Sequence, residues 1–188
     1  MKKAVYNCSD NGFCIIEQVD GKNIRKQNKG TPKKGTLIYF ADPMCSWCWG
    51  MSPEIFKLKK QYARHFDLEL VMGGLRHGEE IAWDRKLTQS LFHHWNHVKR
   101  TTGQDFNYSI LQSTDFVYDT EPACRAVRII RDLAPNKELI FYHEVQRAFY
   151  MDNNNPKASD FYRPICKKLN IPLGYCYPCK TPVALHGR

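Results

Sequence analysis

The stretch "YFADPMCSWCWGMSPEI", residues 39–55, contains two cysteines, Cys45 and Cys48, separated by two residues. It overlaps the end of "TLIYFAD" (36–42), a continuous run of apolar, β-branched and aromatic residues. A run of this kind is typical of a strand that is buried on both faces. The cysteine pair is therefore predicted to follow directly on a central strand, and this junction decides the interpretation of the fold.

The residues after the cysteines predict a βαβ unit. The segment "SPEIFKLKKQYARHF" (52–66) predicts an amphipathic helix with Ile55, Leu58 and Tyr62 on its inner face and lysines on the opposite face. The segment "DLELVMGG" (67–74) is typical of a second strand that ends at a Gly-Gly break. Strand, helix and strand joined by short connections favour two parallel strands with a right-handed crossover.

The remainder of the chain is predicted to be helical. Apolar residues recur at helical spacing in residues 84–100, and Thr120 followed by Glu121-Pro122 is typical of a helix start. Two more helices are expected over 137–151 and 158–169, although Pro164 makes the start of the last one ambiguous. The sequence thus predicts an α/β protein in which a helical segment follows the βαβ unit.

Residues 1–35 are predicted to be an appendage that ends in a basic linker. They hold eight Lys and Arg residues against three acidic ones, so they carry +5 of the net charge of +9. Asp10-Asn11-Gly12, between Cys8 and Cys14, and Asp20-Gly21 are turn signals. The basic run "KNIRKQNKGTPKK" lacks interleaved aromatic residues, which favours a solvated linker over a nucleic-acid-binding arm. No nucleic-acid partner is expected.

The composition also indicates a compartment. No apolar run approaches the roughly 18 residues that a membrane span needs. The N-terminus "MKKAVYNCSDNG" has a basic start but no apolar segment after it, so no export signal is expected. The reducing cytoplasm is the predicted location, and in that setting CxxC spacing indicates redox chemistry or metal binding rather than a disulfide framework.

The position of the cysteine pair predicts its chemistry. A cysteine at the N-terminus of a helix lies beside free backbone N–H groups and the positive end of the helix dipole, which favour the thiolate. Cys45 is therefore predicted to be the nucleophile, and Cys48, one turn further on, the resolving thiol. Ser46 and Trp47 lie between the two cysteines and are expected to tune the balance of dithiol and disulfide.

Zinc binding is the alternative interpretation of the pair. A second CxxC, Cys176 and Cys179, could supply the other two ligands, although the gap between the pairs is far longer than in usual zinc ribbons. His93 and His97 also stand at a spacing that can bind metal. The HExxH pattern would need a glutamate where His94 stands, so solvated or helix-packing histidines are the preferred interpretation.

Four separated motifs carry a resemblance to a known family. They are "YFADPMCSWCWGMSPEI", "VMGGLR", "YDTEPACRAV" and "QRAFYMDNN". In this order they resemble the DsbA-like thioredoxin-fold family, above all its cytoplasmic branch of predicted protein-disulfide isomerases, from about residue 36 to about residue 171. The resemblance implies a thioredoxin-like fold with an inserted helical domain and thiol–disulfide oxidoreductase activity at Cys45 and Cys48. It implies protein thiols and disulfides as substrates, a glutathione or thioredoxin-type reductant as partner, and no bound cofactor.

The resemblance fades after about residue 171, where the family has two further strands and a terminal helix. Seventeen residues follow Ile171, too few for those elements at usual lengths, so incomplete C-terminal strands and an unpaired strand edge are expected. Thr181-Pro182 resembles the family's residue-plus-cis-proline pair, which makes Pro182 the candidate substrate-binding proline. A glutathione-dependent transferase or isomerase on the same scaffold is a further alternative, but such relatives typically lack the second cysteine.

The predicted organisation therefore has four parts. These are an appendage and linker (1–35), a thioredoxin-like βαβ half with the CxxC (36–78), an inserted helical domain (79–170) and a divergent tail (171–188).

Overall fold

A computed structural model describes most of the chain between residues 34 and 172. The described residues are 34–80, 82–113 and 116–172, together with the backbone of 3–8 and 14–19. The chain divides into two compact units, Met1–Lys33 and Lys34–Arg188. The finer division into four parts stays a prediction, and Cys176, Cys179 and Pro182 lie outside the described residues.

The first unit contains an antiparallel hairpin. Strand β1 (Lys3–Cys8) pairs with strand β2 (Cys14–Val19), and the register places Cys8 directly opposite Cys14. The turn signal Asp10-Asn11-Gly12 lies outside the described residues.

The second unit begins with the predicted βαβ arrangement. Strand β3 (Gly35–Ala41) leads through a short loop into helix α1 (Ser46–Gln61), and strand β4 (Phe66–Met72) follows. The two strands are parallel and in register along their whole length, from Gly35 opposite Phe66 to Ala41 opposite Met72. The helix begins one residue after Cys45, earlier than the periodicity alone predicted.

Within the described residues, four α-helices follow β4, near the predicted ranges. Only the last is clearly shorter than expected, because Pro164 lacks a backbone N–H and is tolerated only in the first turn of a helix. Within the described ranges, no helix is both long and apolar enough to cross a membrane. The helices are α2 (Arg85–Thr102), α3 (Glu121–Leu133), α4 (Glu138–Tyr150) and α5 (Tyr162–Lys168).

The helices bury the apolar stripes that their periodicity predicts. Trp95 of α2 and Val127 of α3 are fully buried, and α4 adds aromatic side chains to the same core. Tyr62 is the exception: the sequence placed it on the inner face of α1, but it follows the end of the helix and is 47% exposed. The buried side chains of the two predicted stripes are Leu91, Trp95, Val98, Ala123, Ala126, Val127 and Ile130.

Helices α1 and α2 approach each other closely at Gly50. A Cβ atom on Gly50 would lie 2.7 Å from Cγ1 of Val98 and 2.9 Å from Oγ1 of Thr102. Both distances are shorter than van der Waals contact, and Val98 is fully buried. Only glycine therefore lets α2 pack this tightly against the first turns of α1, where the cysteine pair lies.

The strand β3 has one covered face and one open face. Ile38 and Phe40 alternate with Leu37 and Tyr39, and they are 45% and 71% exposed, respectively. Among the described strands, β3 pairs with β4 alone. The sequence predicted β3 to be buried on both faces, and that prediction is wrong for the described residues, because nothing they include packs over Ile38 and Phe40.

The close contact at Gly50 generates a stability prediction. We expect Gly50→Ala to lower the free energy of unfolding by about 1–3 kcal/mol, the usual cost of overpacking a core. This loss should exceed the roughly 1 kcal/mol that alanine ordinarily gains over glycine inside a helix. Urea unfolding followed by circular dichroism measures the difference.

Gly35→Ala is the matched control, since its new Cβ would meet only the His65 carbonyl oxygen at 3.8 Å, an ordinary contact. Its unfolding midpoint should stay close to that of the unmodified protein. A Gly50→Ala variant as stable as this control would show that α1 and α2 are not held together at this distance.

Candidate active site

Cys45 occupies the residue before the first turn of α1. Its backbone is extended (φ −82°, ψ 120°), and its carbonyl oxygen accepts a hydrogen bond from Trp49 N at 3.0 Å. The free backbone N–H groups of Trp47 and Cys48 point at its sulfur and act to lower the pKa of the thiol. This is the arrangement that the strand-to-helix junction predicted.

The loop between β3 and Cys45 is anchored by the buried carboxylate of Asp42. Its Oδ1 accepts a hydrogen bond from Met44 N, and its Oδ2 accepts one from Leu75 N, both at 2.7 Å. The thiol of Cys124 on α3 donates to the same Oδ2 at 3.4 Å. Burial and the Asp42 charge raise the pKa of Cys124, which keeps this third cysteine protonated. Asp42 therefore ties the loop to the end of β4 and to α3.

Two buried tyrosines hold the peptide that precedes Cys45. The hydroxyl groups of Tyr118 and Tyr150 both donate to the carbonyl oxygen of Met44, each at 2.5 Å. Tyr118 precedes α3 and Tyr150 ends α4, so the helical segment contributes both donors. Burial raises the pKa of each phenol, and the two hydroxyls stay donors over the physiological pH range.

The two thiols interact with each other. The Cys45 thiol donates a hydrogen bond to the Cys48 sulfur, which lowers the pKa of Cys48 to about 6 against the opposing effect of burial. The same hydrogen bond raises the pKa of Cys45, and burial adds to the rise. Since a proton can pass between two adjacent sulfurs, the first ionisation belongs to the pair. Sequence reasoning placed the low pKa on Cys45, whereas this geometry of the reduced pair places it on Cys48.

Tyrosines also surround the Cys48 sulfur. The hydroxyls of Tyr39 and Tyr142 lie beside it, and both act to lower the pKa of its thiol. Tyr142 also accepts a hydrogen bond from Gln146 Nε2 at 3.0 Å, and its ring packs edge-on against Tyr39. The Tyr39 hydroxyl is buried and has no hydrogen-bond partner of good geometry. A thiolate on Cys48 is a charged neighbour that would gain a hydrogen bond from this hydroxyl.

The other residues of the motif have different surroundings. Ser46 is buried in the first turn of α1, whereas Trp47 is only half-buried. The indole of Trp47 packs against His94 and His97 of α2. Trp49 is a core residue that stacks on Tyr150 and on His143, and its Nε1 donates to the Asp105 carbonyl oxygen at 2.8 Å.

Cys45, Ser46, Trp47 and Cys48 lie together at the start of α1, and the roles assigned to them stay predictions. The described part of the chain holds no group of three or more His, Cys, Asp or Glu side chains placed to bind a metal ion. Sequence reasoning missed the residues that hold the loop, since their partners lie far away along the chain. One signal was present: an aspartate directly after a buried strand has to be paired. The missed residues are Asp42, Tyr118, Tyr142 and Tyr150.

A family model described as thioredoxin matches residues 39–170. The chain belongs to the thioredoxin family. Its fold is the thioredoxin-like fold, since a crystal structure of a proposed protein disulfide isomerase from Nitrosomonas europaea superimposes with a TM-score of 0.70. That protein is 33% identical over 78% of this chain and 70% of its own chain.

Two other similar proteins have lower sequence identity. The cytosolic disulfide reductase DsbM from Pseudomonas aeruginosa, in a structure with GSH, is 25% identical, with a TM-score of 0.62 over 75% of this chain and 68% of its own. The ClpXP adapter protein SpxH of Halalkalibacterium halodurans is 20% identical over 82% of this chain. The chain spans half the length of that adapter protein.

The unpartnered hydroxyl of Tyr39 generates a prediction about the dithiol. In Tyr39→Phe, the thiolate should lose a donor, so its pKa should rise and alkylation by iodoacetamide at pH 6 should slow about two- to fivefold. The unfolding midpoint should not fall, because the reduced protein loses no hydrogen bond of good geometry. Thiolate absorbance near 240 nm against pH measures the shift.

Tyr108→Phe is the control, since the Tyr108 hydroxyl donates to Asn96 Oδ1 at 3.0 Å, away from the cysteines. This variant should alkylate at the unmodified rate. Identical thiolate titrations for Tyr39→Phe and the unmodified protein would show that Tyr39 does not stabilise the thiolate.

Proposed function

We propose that this thioredoxin-family chain is a thiol–disulfide oxidoreductase that acts on protein disulfides through Cys45 and Cys48. One observation carries the proposal: two half-buried thiols share a hydrogen bond at the start of a helix, where amides and hydroxyls stabilise one negative charge. A thiol pair whose first ionisation has a lowered pKa exchanges with disulfides at neutral pH. A buried thiol with no second thiol beside it, such as Cys124, does not.

The proposed reaction has two displacement steps. In the first, the Cys45 sulfur attacks a substrate disulfide, forms a mixed disulfide and releases one substrate sulfur as a thiolate, which takes up a proton. In the second, the Cys48 thiolate attacks the Cys45 sulfur and releases the other substrate sulfur. The substrate gains two electrons and two protons, and the pair becomes a Cys45–Cys48 disulfide. A dithiol reductant reverses the change on the protein.

The roles of the two cysteines follow from their surroundings. The shared proton lets either sulfur carry the charge, so the attacking sulfur is decided by the residues around it. Cys45 precedes the helix and faces the amides of its first turn, whereas Cys48 is inside that turn among Asp42, Tyr39 and Tyr142. The low pKa of Cys48 suits the second step, in which it must attack from inside as a thiolate. Ser46 and Trp47 are proposed to tune the potential of the pair.

Glutathione or a thioredoxin-type protein is proposed to return the pair to the dithiol, in the reducing cytoplasm. One of the related structures is of a cytosolic disulfide reductase with GSH, which supports glutathione as a reductant class. The two thiols carry the electrons themselves, so the proposed reaction needs no bound cofactor.

Zinc binding is the second candidate because the chain has two CxxC pairs, one of which lies outside the described residues. It differs from the redox proposal in a measurable way. A zinc site would retain about one metal ion per chain after purification and lose it when Cys45 is replaced. A glutathione-dependent transferase is less well supported, because Cys48 stands beside Cys45 where one thiol would suffice.

The proposed roles are tested by trapping mixed disulfides. Incubation of Cys48→Ala with a reduced-and-reoxidised protein substrate should accumulate a covalent adduct at Cys45, because no second thiol can resolve it. Cys45→Ala should accumulate none. Non-reducing gels followed by peptide mapping identify the cysteine in the adduct.

Cys124→Ser is the control, since its hydroxyl can still donate to Asp42 Oδ2, and its insulin-reduction rate should match that of the unmodified protein. Adducts on Cys45→Ala alone would reverse the two roles. Absence of adducts on both variants, together with one bound zinc ion per unmodified chain, would replace the redox function with metal binding.

A further inference from the structure

The indole of Trp47, between the two cysteines, is held by two histidines of α2. Its ring centroid lies 5.6 Å from that of His97 and 6.3 Å from that of His94, and both pairs are edge-to-face with an interplanar angle of 79°. Edge-to-face packing at these distances is the favourable geometry for aromatic pairs. Within the described residues, these two imidazoles make all the ring contacts of Trp47.

His94 and His97 lie beside Trp47 because of the way α2 packs against α1. His94 and His97 are three residues apart, so they lie on one face of the helix. The same face carries Val98, whose side chain lies against Gly50 in the next turn after the cysteines. The close approach at Gly50 thus brings the two imidazoles beside Trp47. His93 makes no ring contact with Trp47, and its ring contacts Phe92 instead.

The His94 ring that contacts Trp47 is uncharged at neutral pH. Burial lowers the pKa of His94, and the neighbouring His97 lowers it further. Among the described residues, His97 is the titratable neighbour that acts on His94, and the indole of Trp47 carries no charge. The two exposed imidazoles pack on Trp47, between the two cysteines, and not on core residues. They therefore have no evident role in folding.

We propose that His94 and His97 are positioning residues that act through Trp47. They fix the half-buried indole as one wall of the site beside Cys45, so that an extended protein substrate packs against a surface that is already ordered. This rests on the proposed function, since the wall serves disulfide exchange with a protein. A small reagent that reaches the sulfur without touching the wall should not depend on the two histidines. Preorganisation of this kind improves substrate binding more than the chemical step.

The contact is tested by tryptophan fluorescence. Protonated imidazole quenches an adjacent indole, so the emission of the unmodified protein should fall as the pH drops below the ordinary histidine value of 6.5. The double variant His94→Gln/His97→Gln should lose this part of the titration, and the control His93→Gln should keep it. Any quenching of Trp49 by His143 is common to all three proteins and cancels in the comparison.

The positioning role is tested by kinetics with the same three proteins. With insulin as substrate, the double variant should show a KM raised about two- to tenfold, the range that one or two aromatic contacts supply, and a kcat within twofold. Alkylation of the dithiol by iodoacetamide should not change. His93→Gln should match the unmodified protein in every measurement.

The outcomes separate this inference from the proposed function. Identical emission titrations in the double variant and the unmodified protein would show that the histidines do not hold Trp47. A changed titration with an unchanged KM would show that the indole is not a wall of the substrate site. An unmodified protein that reduces no disulfide would overturn the proposed function, and with it the role of the wall, even if the titration showed the contact.

Discussion

The carbonyl oxygen of Met44 is the point on which the site depends. It accepts hydrogen bonds from Tyr118 and Tyr150, both fully buried and both contributed by the helical segment that follows the βαβ unit. A carbonyl oxygen has two lone pairs, so its bonding is complete. Each donor is buried, and loss of either hydroxyl would remove one of the two hydrogen bonds to this oxygen, at a cost of about 0.5–1.5 kcal/mol. The helical segment is therefore part of the machinery that places Cys45.

The neighbouring carboxylate of Asp42 works with this carbonyl. Together they fix the peptide groups on both sides of Met44, the preceding one through its N–H and the following one through its oxygen. The chain must turn here from a strand to a helix within four residues, and only a fixed turn presents the Cys45 sulfur to the first amides of α1. Gly50 completes the arrangement, because it lets α2 approach the same end of α1. The dithiol thus lies where three parts of the fold meet, the sheet, α1 and the helical segment.

The sequence predicts the parts of this fold that depend on local patterns. The period of apolar residues identified β3, β4 and the buried stripes of α2 and α3, and the CxxC spacing identified the thiols. Long-range polar contacts carry no such period. Tyr150 is 106 residues from its acceptor, and nothing in "QRAFYMDNN" indicates which carbonyl its hydroxyl would reach. The exposed face of β3 was missed for a related reason, since a run of apolar residues does not show which neighbours cover it.

The most direct test of the account is whether Cys45 and Cys48 form a reversible disulfide. The protein is equilibrated in glutathione buffers of graded potential, quenched with acid, alkylated and digested with trypsin. Residues 35–57 form one tryptic peptide in which Cys45 and Cys48 are the only cysteines. We predict that this peptide passes from doubly alkylated to internally disulfide-bonded in one two-electron transition, in which about 30 mV changes the ratio tenfold. A peptide that stays doubly alkylated across the range, or that carries only glutathione adducts, would contradict it.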